Sequence, residues 1–513
     1  MARRTVQVDL NRVEGDLEFQ LDLEGDTVVD ARCIGTLYRG FEQILVGRAP
    51  RDALVITPRV CGICGTAHLY AACLALEHLA GLSPPAHAVL VRNLCLTAET
   101  VQSDLRQSFL FFTPDLCHAR YAGHALAGEL HEAFAPLRGR VVRECLRATR
   151  DLLGIVAVFG GQWPHSSHIL PGGVTAPATP RRILDCRGIL DGVRRWFEGS
   201  LVGGPLADWL AIDRAEDFFR WLSSPAGAAS AIGLFSRASR DLGLHRVGAG
   251  AGLLLSYGAW CEPDAPRQPS GAPAMRIRSG VRDATVPGAA TEALDQEMIN
   301  EHVRHSWYLE YPGGRHPWRG ETIPNRMADG GRYTWAKAPR YGDRVAQTGP
   351  LAQLAVDGDA LILSLLAAEG DSAWLRQFAR LRRAGLALEQ MRGGLDDLGR
   401  RLGEPHYADP GLHAWPDGES FGLIEAARGA LGHWLRVRDG CIDGYQIVTP
   451  TAWNASPRDS AGRHGHWEES VIGLRVADEA DPIEVGHVVR SHDPCLVCTV
   501  HCIGTGRRTT YGV

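Results

Sequence analysis

The first part of the chain alternates polar and apolar residues, as expected for strands that bury one face. The apolar positions recur at every second residue in two runs, Val6, Val8 and Leu10 and then Leu17, Phe19, Leu21 and Leu23. The turn sequence Glu24-Gly25-Asp26 follows the second run. Residues 1–36 are therefore predicted to form an antiparallel β meander.

Beyond Leu54 the apolar positions follow helical periods over most of the chain. Residues 66–79 are apolar on nearly every face, which predicts a buried helix. Further helices are predicted over residues 87–112, 129–159, 180–245 (several short ones), 291–306, 349–402 and 422–436. Residues 246–288 lack a regular period and are rich in proline near 262–269, so we expect β-like patches and a surface excursion there.

The composition is that of a globular protein with ample material for a core, since 45% of residues are hydrophobic and 22% are charged. The net charge of −5 argues against a nucleic-acid-binding surface. The chain lacks the run of about 18 apolar residues that a membrane span needs, and its N-terminus lacks the apolar segment of a signal peptide. The 13 cysteines are typical of reduced, buried thiols, which favours a cytoplasmic location.

Two C-x-x-C pairs lie near opposite ends of the chain, Cys61 with Cys64 and Cys495 with Cys498. Two intervening residues let both sulfurs of a pair face one point, and thiolates bind soft transition metals. One pair alone is equally compatible with half a zinc site, a redox dithiol or two packed cysteines. A zinc ribbon would place its pairs roughly 15–20 residues apart, so the wide separation here favours a buried catalytic metal.

The cysteine motifs resemble those of the large subunit of nickel–iron hydrogenases, and other motifs resemble that family in the same order. They are NRVEG at 11–15, RGFE at 39–42, PH at 164–165, PGGV at 171–174, EHVRHSWY at 301–308, WAKAPRY at 335–341, GPLA at 349–352, EAARG at 425–429 and PTAWN at 450–454. This match covers residues 8–501. It implies one mainly α (α+β) domain over residues 1–513, with a bundle of long helices around a buried metal site, the N-terminal antiparallel β-sheet and a short tail at 502–513.

The resemblance implies heterolytic cleavage and oxidation of dihydrogen at a nickel–iron centre. Nickel would be held by Cys61, Cys64, Cys495 and Cys498, with Cys64 and Cys498 bridging to an iron that carries carbon monoxide and cyanide. Cys61 and Cys495 would then be terminal ligands. Outside the two pairs the chain has no further C-x-x-C, so electrons are expected to pass to an iron–sulfur small subunit.

Further residues receive roles from the same resemblance. By residue type alone, Glu14 is a turn carboxylate and Arg428 a solvated or salt-bridged arginine. In the family, the glutamate at the position of Glu14 relays protons from a cysteine thiolate, and burial suits a carboxylate to that task. In the family, the arginine matched by Arg428 lies over the metals and carries a charge that does not titrate. One departure is that Ala427 stands where the family usually has proline. Asp493 is expected to pair with Arg428, and Thr451 is a further cofactor-binding candidate.

A magnesium ion is also implied by the resemblance. Glu42 and His501 match its side-chain ligands, and a backbone carbonyl near Ile447 is the expected third protein ligand. A carboxylate is a natural magnesium ligand, whereas imidazole is a less usual one. This assignment therefore rests on the family rather than on the residue chemistry.

Several positions depart from the family's usual pattern. Residues 102–107 lack two histidines that are common on the long helix, and Ser103 stands where many members have aspartate. Ile63 and Phe111 match the larger side chains of the hydrogen-sensing branch, with ordinary core variation as the alternative. The short tail after His501 also resembles that branch, although a brief cleavable tail is an equal interpretation.

We therefore predict a large subunit that leans to the hydrogen-sensing branch and passes a signal to a kinase. The alternatives are a respiratory uptake hydrogenase that serves an electron-acceptor protein, and a non-catalytic relative like the quinone-site subunit of respiratory complex I. That relative lacks the cysteine ligands, which are present here. A structural zinc protein is a more distant alternative. A membrane-associated or periplasmic location through the small subunit is the alternative to the cytoplasm.

Overall fold

The computed structural model describes residues 3–326 and 331–495, and its strands include the predicted N-terminal meander. The first three strands form an antiparallel sheet in the order β1-β2-β3. The strands are β1 Arg3–Leu10, β2 Leu17–Glu24, β3 Thr27–Gly35, β4 Tyr38–Arg39, β5 Ile169–Leu170, β6 Gly173–Val174, β7 Leu253–Ser256, β8 Ala259–Cys261, β9 Met275–Ile277, β10 Gly280–Asp283, β11 Ile299–His302, β12 Ala338–Tyr341, β13 Ala346–Gln347, β14 Gly418–Ala426, β15 Gly429–Arg438 and β16 Cys441–Val448.

Helices make up most of the remaining secondary structure. They are α1 Phe41–Leu45, α2 Ala53–Ile56, α3 Gly65–Leu79, α4 Ala86–Arg106, α5 Ala127–Phe134, α6 Arg140–Leu152, α7 Gly154–Gly160, α8 Pro180–Trp196, α9 Leu206–Leu210, α10 Ala215–Leu222, α11 Pro225–Ala229, α12 Ala231–Asp241, α13 Pro350–Asp357, α14 Ala360–Glu369, α15 Ala373–Arg400, α16 Pro450–Asn454, α17 His466–Val471 and α18 Ile483–Arg490. The architecture is the predicted α+β fold with a bundle of long helices.

The helical bundle is centred on α4 and α15, which pack against each other and against α6 and α8. Apolar side chains from these helices, among them Leu94, Phe378 and Leu388, are completely buried in one continuous core. Burial of such side chains stabilises a fold by about 1.5–3 kcal/mol each. The bundle thus provides a rigid support on which charged residues of α4 and α15 are held.

A second core joins α3 to the antiparallel sheet β14-β15-β16 and contains Cys61, Cys64 and Cys495. Gly422 allows this packing, because a Cβ atom there would lie 2.0 Å from the carbonyl oxygen of Ala71 on α3. The first cysteine pair therefore lies between the buried helix and a buried sheet, as a site deep in the molecule requires.

The predicted helix over residues 422–436 is wrong, because this segment forms β14 and β15. Both faces of β14 are buried from Ser420 to Ala426, so the alternation that identifies a half-buried strand is absent from its sequence. A short apolar run of this kind does not distinguish a buried strand from a buried helix. Gly429, with φ of +125°, begins the returning strand.

Three other predictions need correction or refinement. Residues 291–306 contain a short 3₁₀ turn and strand β11 rather than a helix. The predicted helix over 129–159 is divided into α5, α6 and α7, with Gly139 and Gly154 at the breaks. Residues 246–288 do contain β patches, but β7 is completely buried instead of lying on the surface.

Within the described chain no single helix is long and apolar enough to cross a membrane, and only the bent pair α13–α14 meets that test jointly.

Candidate metal centre

The first cysteine pair is held at the start of α3. Cys64 directly precedes the helix, and Cys61 and Cys64 are both buried. The backbone N–H groups of Thr66 and Ala67 donate to the carboxylate of Glu99 at 3.1 and 3.2 Å. First-turn N–H groups have no partner within their own helix, so Glu99 caps α3 from the neighbouring α4 and fixes the pair.

Glu99 is a residue that the sequence interpretation missed. It is completely buried, and burial raises the pKa of its carboxyl group to about 7, against the hydrogen bonds from Trp163, Thr66 and Ala67 that lower it. The Trp163 indole donates to the same carboxylate at 3.0 Å. The only signal in the sequence is a carboxylate within an apolar stretch of a long helix.

The second cysteine pair reaches the first from the other end of the chain. The Sγ atoms of Cys61 and Cys495 are 3.7 Å apart, although 434 positions separate them in the sequence. The N–H of Glu14 donates to the carbonyl of Pro494 at 3.2 Å, and the N–H of Cys495 donates to Thr451 Oγ1 at 3.3 Å. The structure therefore brings Glu14, Cys61, Cys495 and Thr451 together, as predicted.

The sulfur geometry fits two thiolates on one metal ion. With bonds of about 2.3 Å and tetrahedral angles, two such thiolates stand roughly 3.8 Å apart, close to the observed 3.7 Å. Buried sulfur ligands suit nickel and iron better than hard cations. No three His, Cys, Asp or Glu side chains of the described residues form a complete site, and Cys498 lies outside that part of the chain. Ligation by the four cysteines stays a prediction that this distance supports.

A buried arginine faces these sulfurs from the turn between β14 and β15. Arg428 Nε lies 3.1 Å from Asp493 Oδ1, with side-chain exposures of 5% and 1%. Burial opposes the charge, but Asp493 and the thiols of Cys495, Cys61 and Cys64 raise the pKa of Arg428 well above its ordinary value. Neither Arg428 Nη1 nor Asp493 Oδ2 has a hydrogen-bond partner among the described residues. A permanently charged donor is therefore open toward the predicted metal position.

The Glu14 carboxylate is half-buried beside the same sulfurs. Burial raises its pKa most, the Cys61 thiol raises it further, and Arg428 opposes both. Its turn is anchored by Arg490, whose Nε and Nη2 atoms donate to the backbone and side-chain oxygens of Asn11 at 3.1 and 2.7 Å. A carboxyl group with a raised pKa beside a thiol is suited to exchange a proton with it.

Glu42 lies in a second buried polar cluster at α1. Its Oε1 accepts from the Ile447 N–H at 2.9 Å and from Lys337 Nζ at 3.2 Å, and its Oε2 accepts from Thr322 Oγ1 at 2.5 Å. The structure thus places Glu42 beside the backbone of Ile447, but the group that contacts Glu42 is the Ile447 N–H rather than the predicted carbonyl. The third predicted ligand, His501, lies outside the described residues.

The Lys337 ammonium group supplies positive charge to this cluster. It also lies 2.9 Å from Glu301 Oε2. Although burial opposes its charge, Glu301 and Glu42 together raise the pKa of Lys337. The magnesium site stays a prediction, and a divalent ion there would share its carboxylate with this lysine.

Three positions depart from the family's usual pattern, and Ile63 and Phe111 are the two that suggested the sensing branch. Ile63 is half-buried between the cysteines of the first pair and packs on their apolar cluster. Phe111 is half-buried in the π-helical segment Gln107–Phe112, and its carbonyl accepts from Arg12 Nη1 at 2.9 Å. Ser103 is buried on α4. Of these, Ile63 adjoins the metal centre through the first cysteine pair, and the sensing branch stays a prediction.

A buried ionic cluster behind the Arg428–Asp493 pair also went unidentified in the sequence. Asp104 on α4 contacts Arg383 at 2.7 Å and Arg380 at 3.7 Å, both on α15. A signal was present, because arginines recur at helical spacing, 376, 380 and 383, within a helix that is otherwise largely apolar.

Comparison with known proteins decides the class of this metal centre. The model of the nickel-dependent hydrogenase family matches residues 39–112 and 238–501. The chain belongs to this family. It is 30% identical to the periplasmic [NiFeSe] hydrogenase large subunit of Desulfomicrobium baculatum, over 96% of this chain and 94% of that protein. It is 28% identical to the uptake hydrogenase large subunit of Rhodobacter capsulatus, over 97% and 95% of the two chains.

Solved hydrogenases share the fold as well as the sequence. The Ni-Fe-Se hydrogenase of D. vulgaris Hildenborough in the reduced state superposes with a TM-score of 0.81 and 30% identity, covering 98% of this chain and 100% of that one. The predicted α+β fold, the family and the enzyme class, a nickel–iron hydrogenase, are thereby confirmed. The hydrogenase large subunits among these relatives imply a small-subunit partner and a nickel–iron centre. The four predicted metal ligands in this hydrogenase are all cysteines.

Proposed function

We propose that this hydrogenase large subunit oxidises dihydrogen and passes the electrons to an iron–sulfur small subunit. The observation that carries this proposal is the meeting of Cys61 and Cys495 at 3.7 Å beneath a charged arginine and beside Glu14. When bound, the nickel–iron centre supplies the electron-accepting site at which dihydrogen is split heterolytically. The chain's own residues supply the ligands, the positive field and the proton acceptor.

The four cysteines would hold this centre, Cys64 and Cys498 by bridging nickel and iron and Cys61 and Cys495 as terminal nickel ligands. Carbon monoxide and cyanide would complete the iron, as the family resemblance implies. Both proposed terminal ligands adjoin Glu14, because the Cys61 thiol raises the pKa of its carboxyl group and its N–H donates to Pro494, the residue directly before Cys495. In this proposal a thiolate accepts the proton and Glu14 takes it onward.

Arg428 contributes a charge that does not titrate. A guanidinium group keeps its proton at any working pH, so it stabilises anionic sulfur without competing as an acid. It forms an ion pair with Asp493, and its Nη1 atom, which has no hydrogen-bond partner among the described residues, is an available donor toward the cofactor. The Thr451 hydroxyl oxygen accepts a hydrogen bond from the Cys495 N–H and so helps to position the second cysteine pair.

The docking surface for the small subunit is proposed near α1 and α2. Ile44 on α1, Val46 directly after α1 and Val55 on the neighbouring α2 are 42%, 47% and 52% exposed. Apolar side chains that cluster in this way typically mark a protein interface. In the sequence these residues lie between Glu42 and the first cysteine pair, which supports an interface near the metal centre and a short path for electrons.

Hydrogen sensing is a second candidate role, favoured by the large side chains of Ile63 and Phe111, which match those of the sensing branch. In that case the complex would signal to a kinase, whereas an uptake enzyme would deliver electrons to an acceptor protein. The relatives reported above are named as periplasmic and uptake hydrogenases. The mass of the mature chain discriminates between a sensor and an uptake enzyme, because an intact tail after His501 is expected of a sensor.

We propose a cytoplasmic location, which cell fractionation would test.

The decisive experiment is infrared spectroscopy and metal analysis of the complex purified with its small subunit. We expect carbon monoxide and cyanide bands that shift under dihydrogen, and dihydrogen-dependent reduction of a viologen dye. Analysis should also detect magnesium, which Glu42→Gln would remove. A nickel-containing complex without dye reduction would contradict the proposed function, and a spectrum without such bands would contradict the iron ligands.

A further inference from the structure

We propose that Asp104, Arg380 and Arg383 form a positioning cluster that holds the Arg428–Asp493 pair in place at the metal centre. The three side chains lie on α4 and α15, and each is at most 5% exposed. Arg428 and Asp493 come from distant parts of the chain, and the cluster contacts the backbone beside each of them. The inference rests on the proposed role of Arg428 in the reaction.

Arg383 holds the turn that presents Arg428. Its Nε and Nη2 atoms bind the two oxygens of Asp104 at 2.9 and 2.7 Å, and Nη1 donates to Gln353 Oε1 at 2.9 Å. Nη2 also donates to the carbonyl of Ala427, the residue directly before Arg428. Because all three nitrogens are engaged, the guanidinium has one orientation, and it fixes the position of this carbonyl.

Arg380 holds the segment that presents Asp493. Its Nη1 atom donates to the carbonyl of Ser491 at 3.1 Å, and its Nε lies 3.7 Å from Asp104 Oδ1. One buried carboxylate therefore joins the two arginines, and through them the two chain segments that meet at the metal centre.

The supported pair needs such external support. Asp493 has a φ of +59°, a conformation that is strained for a residue other than glycine and that persists only where surrounding contacts enforce it. Arg428 Nη1 and Asp493 Oδ2 make no hydrogen bond within the described chain, so these atoms do not anchor the pair. Its geometry depends on the backbone on either side, which is where Arg383 and Arg380 bind.

The cluster could instead serve only the stability of the helical bundle, as other buried arginines of α15 do. Arg382 is the matched case. It is buried on the same helix, and its Nη atoms donate to the carbonyls of Trp209 and Leu210 at 3.1 and 2.9 Å. These partners belong to α9 rather than to the segments that carry Arg428 or Asp493. Lysine at either position keeps the charge but loses the planar fork.

The test compares Arg383→Lys with Arg382→Lys in the purified two-subunit complex. We expect Arg383→Lys to lower kcat for dihydrogen oxidation at least tenfold, with the KM for dihydrogen within twofold and nickel content unchanged. Arg382→Lys should leave kcat unchanged. Equal kcat values for the two variants would overturn the proposal. If Arg383→Lys fails to retain nickel, Gln353→Met removes only one bond of Arg383, and an unchanged kcat in that variant would overturn it instead.

A double-mutant cycle separates positioning from a general structural effect. If Arg383 acts through Arg428, the double variant Arg383→Lys/Arg428→Lys should be no slower than Arg428→Lys alone. Multiplicative losses would contradict action through Arg428. Full activity of Arg428→Lys itself would refute the proposed role of Arg428, and this outcome is distinct from a failure of the cycle.

Discussion

Glu14 is the residue on which the proton step depends. It is half-buried, its backbone binds the segment of the second cysteine pair, and burial raises the pKa of its carboxyl group. An amide in its place would keep the shape and the hydrogen-bonding acceptor but would not carry a proton. The chemistry of this position is therefore separable from its packing.

We predict that Glu14→Gln lowers kcat for dihydrogen oxidation by about a hundredfold, within the range that general acid–base residues contribute. Nickel and iron content should be unchanged. Glu18→Gln is the matched control, because Glu18 is also a half-buried carboxylate of the meander with a burial-raised pKa, but it is hydrogen-bonded to Gln7 on the neighbouring strand. Similar rates in the two variants would refute a proton-relay role.

Residues with a distinctive chemistry were predictable from the sequence, and those defined by a tertiary contact were not. The spacing of Cys61 and Cys495 within their pairs indicated metal ligands, and the structure brings them together. Glu99 caps a helix to which it does not belong, and Asp104 contacts two arginines only because α15 packs on α4. No local pattern records such contacts, since each depends on which elements become neighbours.

Strand β14 illustrates how an element can be anchored by one buried acid. Glu425 Oε1 accepts from the N–H of Tyr257 at 2.8 Å and from Ser256 Oγ at 3.0 Å, which ties β14 to the end of β7. Its Oε2 has no hydrogen-bond partner within the described residues, and Glu425 and Arg383 both line a cavity of about 30 Å³. Burial raises the pKa of Glu425 to about 7, against the hydrogen bond from Tyr257 and the charge of Arg383.

We predict that Glu425→Gln changes the pH dependence of stability. The folded protein binds the Glu425 proton more tightly than the unfolded chain does, so this group stabilises the fold at low pH and that contribution is lost as the pH rises through about 7. Relative to the parent, the Gln variant should gain stability between about pH 5 and 8, by an amount of the order of 3 kcal/mol. Thermal unfolding of the complex at several pH values measures this, and a constant difference would contradict it.

Element type was predictable where the hydrophobic period was clear. Strands β1 and β2 alternate polar and apolar residues, α3 is a long apolar run and α15 carries a long helical pattern, so these predictions were confirmed. Strands β14 and β15 were mistaken for a helix because burial of both faces removes the alternation, and Gly422 and Gly429 serve close packing rather than a turn motif. The segmentation of residues 129–159 depends on glycines that a helical pattern tolerates.

At the scale of the molecule, the two ends of the described chain are joined to form the site. Arg490 binds Asn11 and also contacts Asp115 at 2.7 Å, with both charged side chains nearly inaccessible to solvent. Arg4 and Glu479 form a second link between the ends at 2.5 Å, and their side chains are 56% and 37% exposed. We expect the first link to stabilise the fold and the second to contribute almost nothing to the free energy of unfolding.

We predict that Arg490→Met destabilises the complex by about 2 kcal/mol or more, because buried Asp115 then keeps only the partly exposed Arg12 as a counter-charge and Asn11 loses both hydrogen bonds from Arg490. Arg4→Met should cost less than about 1 kcal/mol, as exposed ion pairs do. Thermal unfolding of the nickel-loaded complex would show a melting temperature lower by several degrees for the first variant only. Equal melting temperatures would mean that the join is maintained by other contacts.

The distance between the cysteine pairs along the chain also has a consequence in time. At about 5–20 residues per second, the ribosome needs roughly 20–90 s to make the 434 positions between Cys61 and Cys495. Throughout that interval the early pair is an available dithiol, and copper or zinc would bind it at least as readily as nickel. The affinity of the cysteines alone would therefore not select nickel, so the geometry of the completed site and the supply of metal during biosynthesis must contribute to the selection.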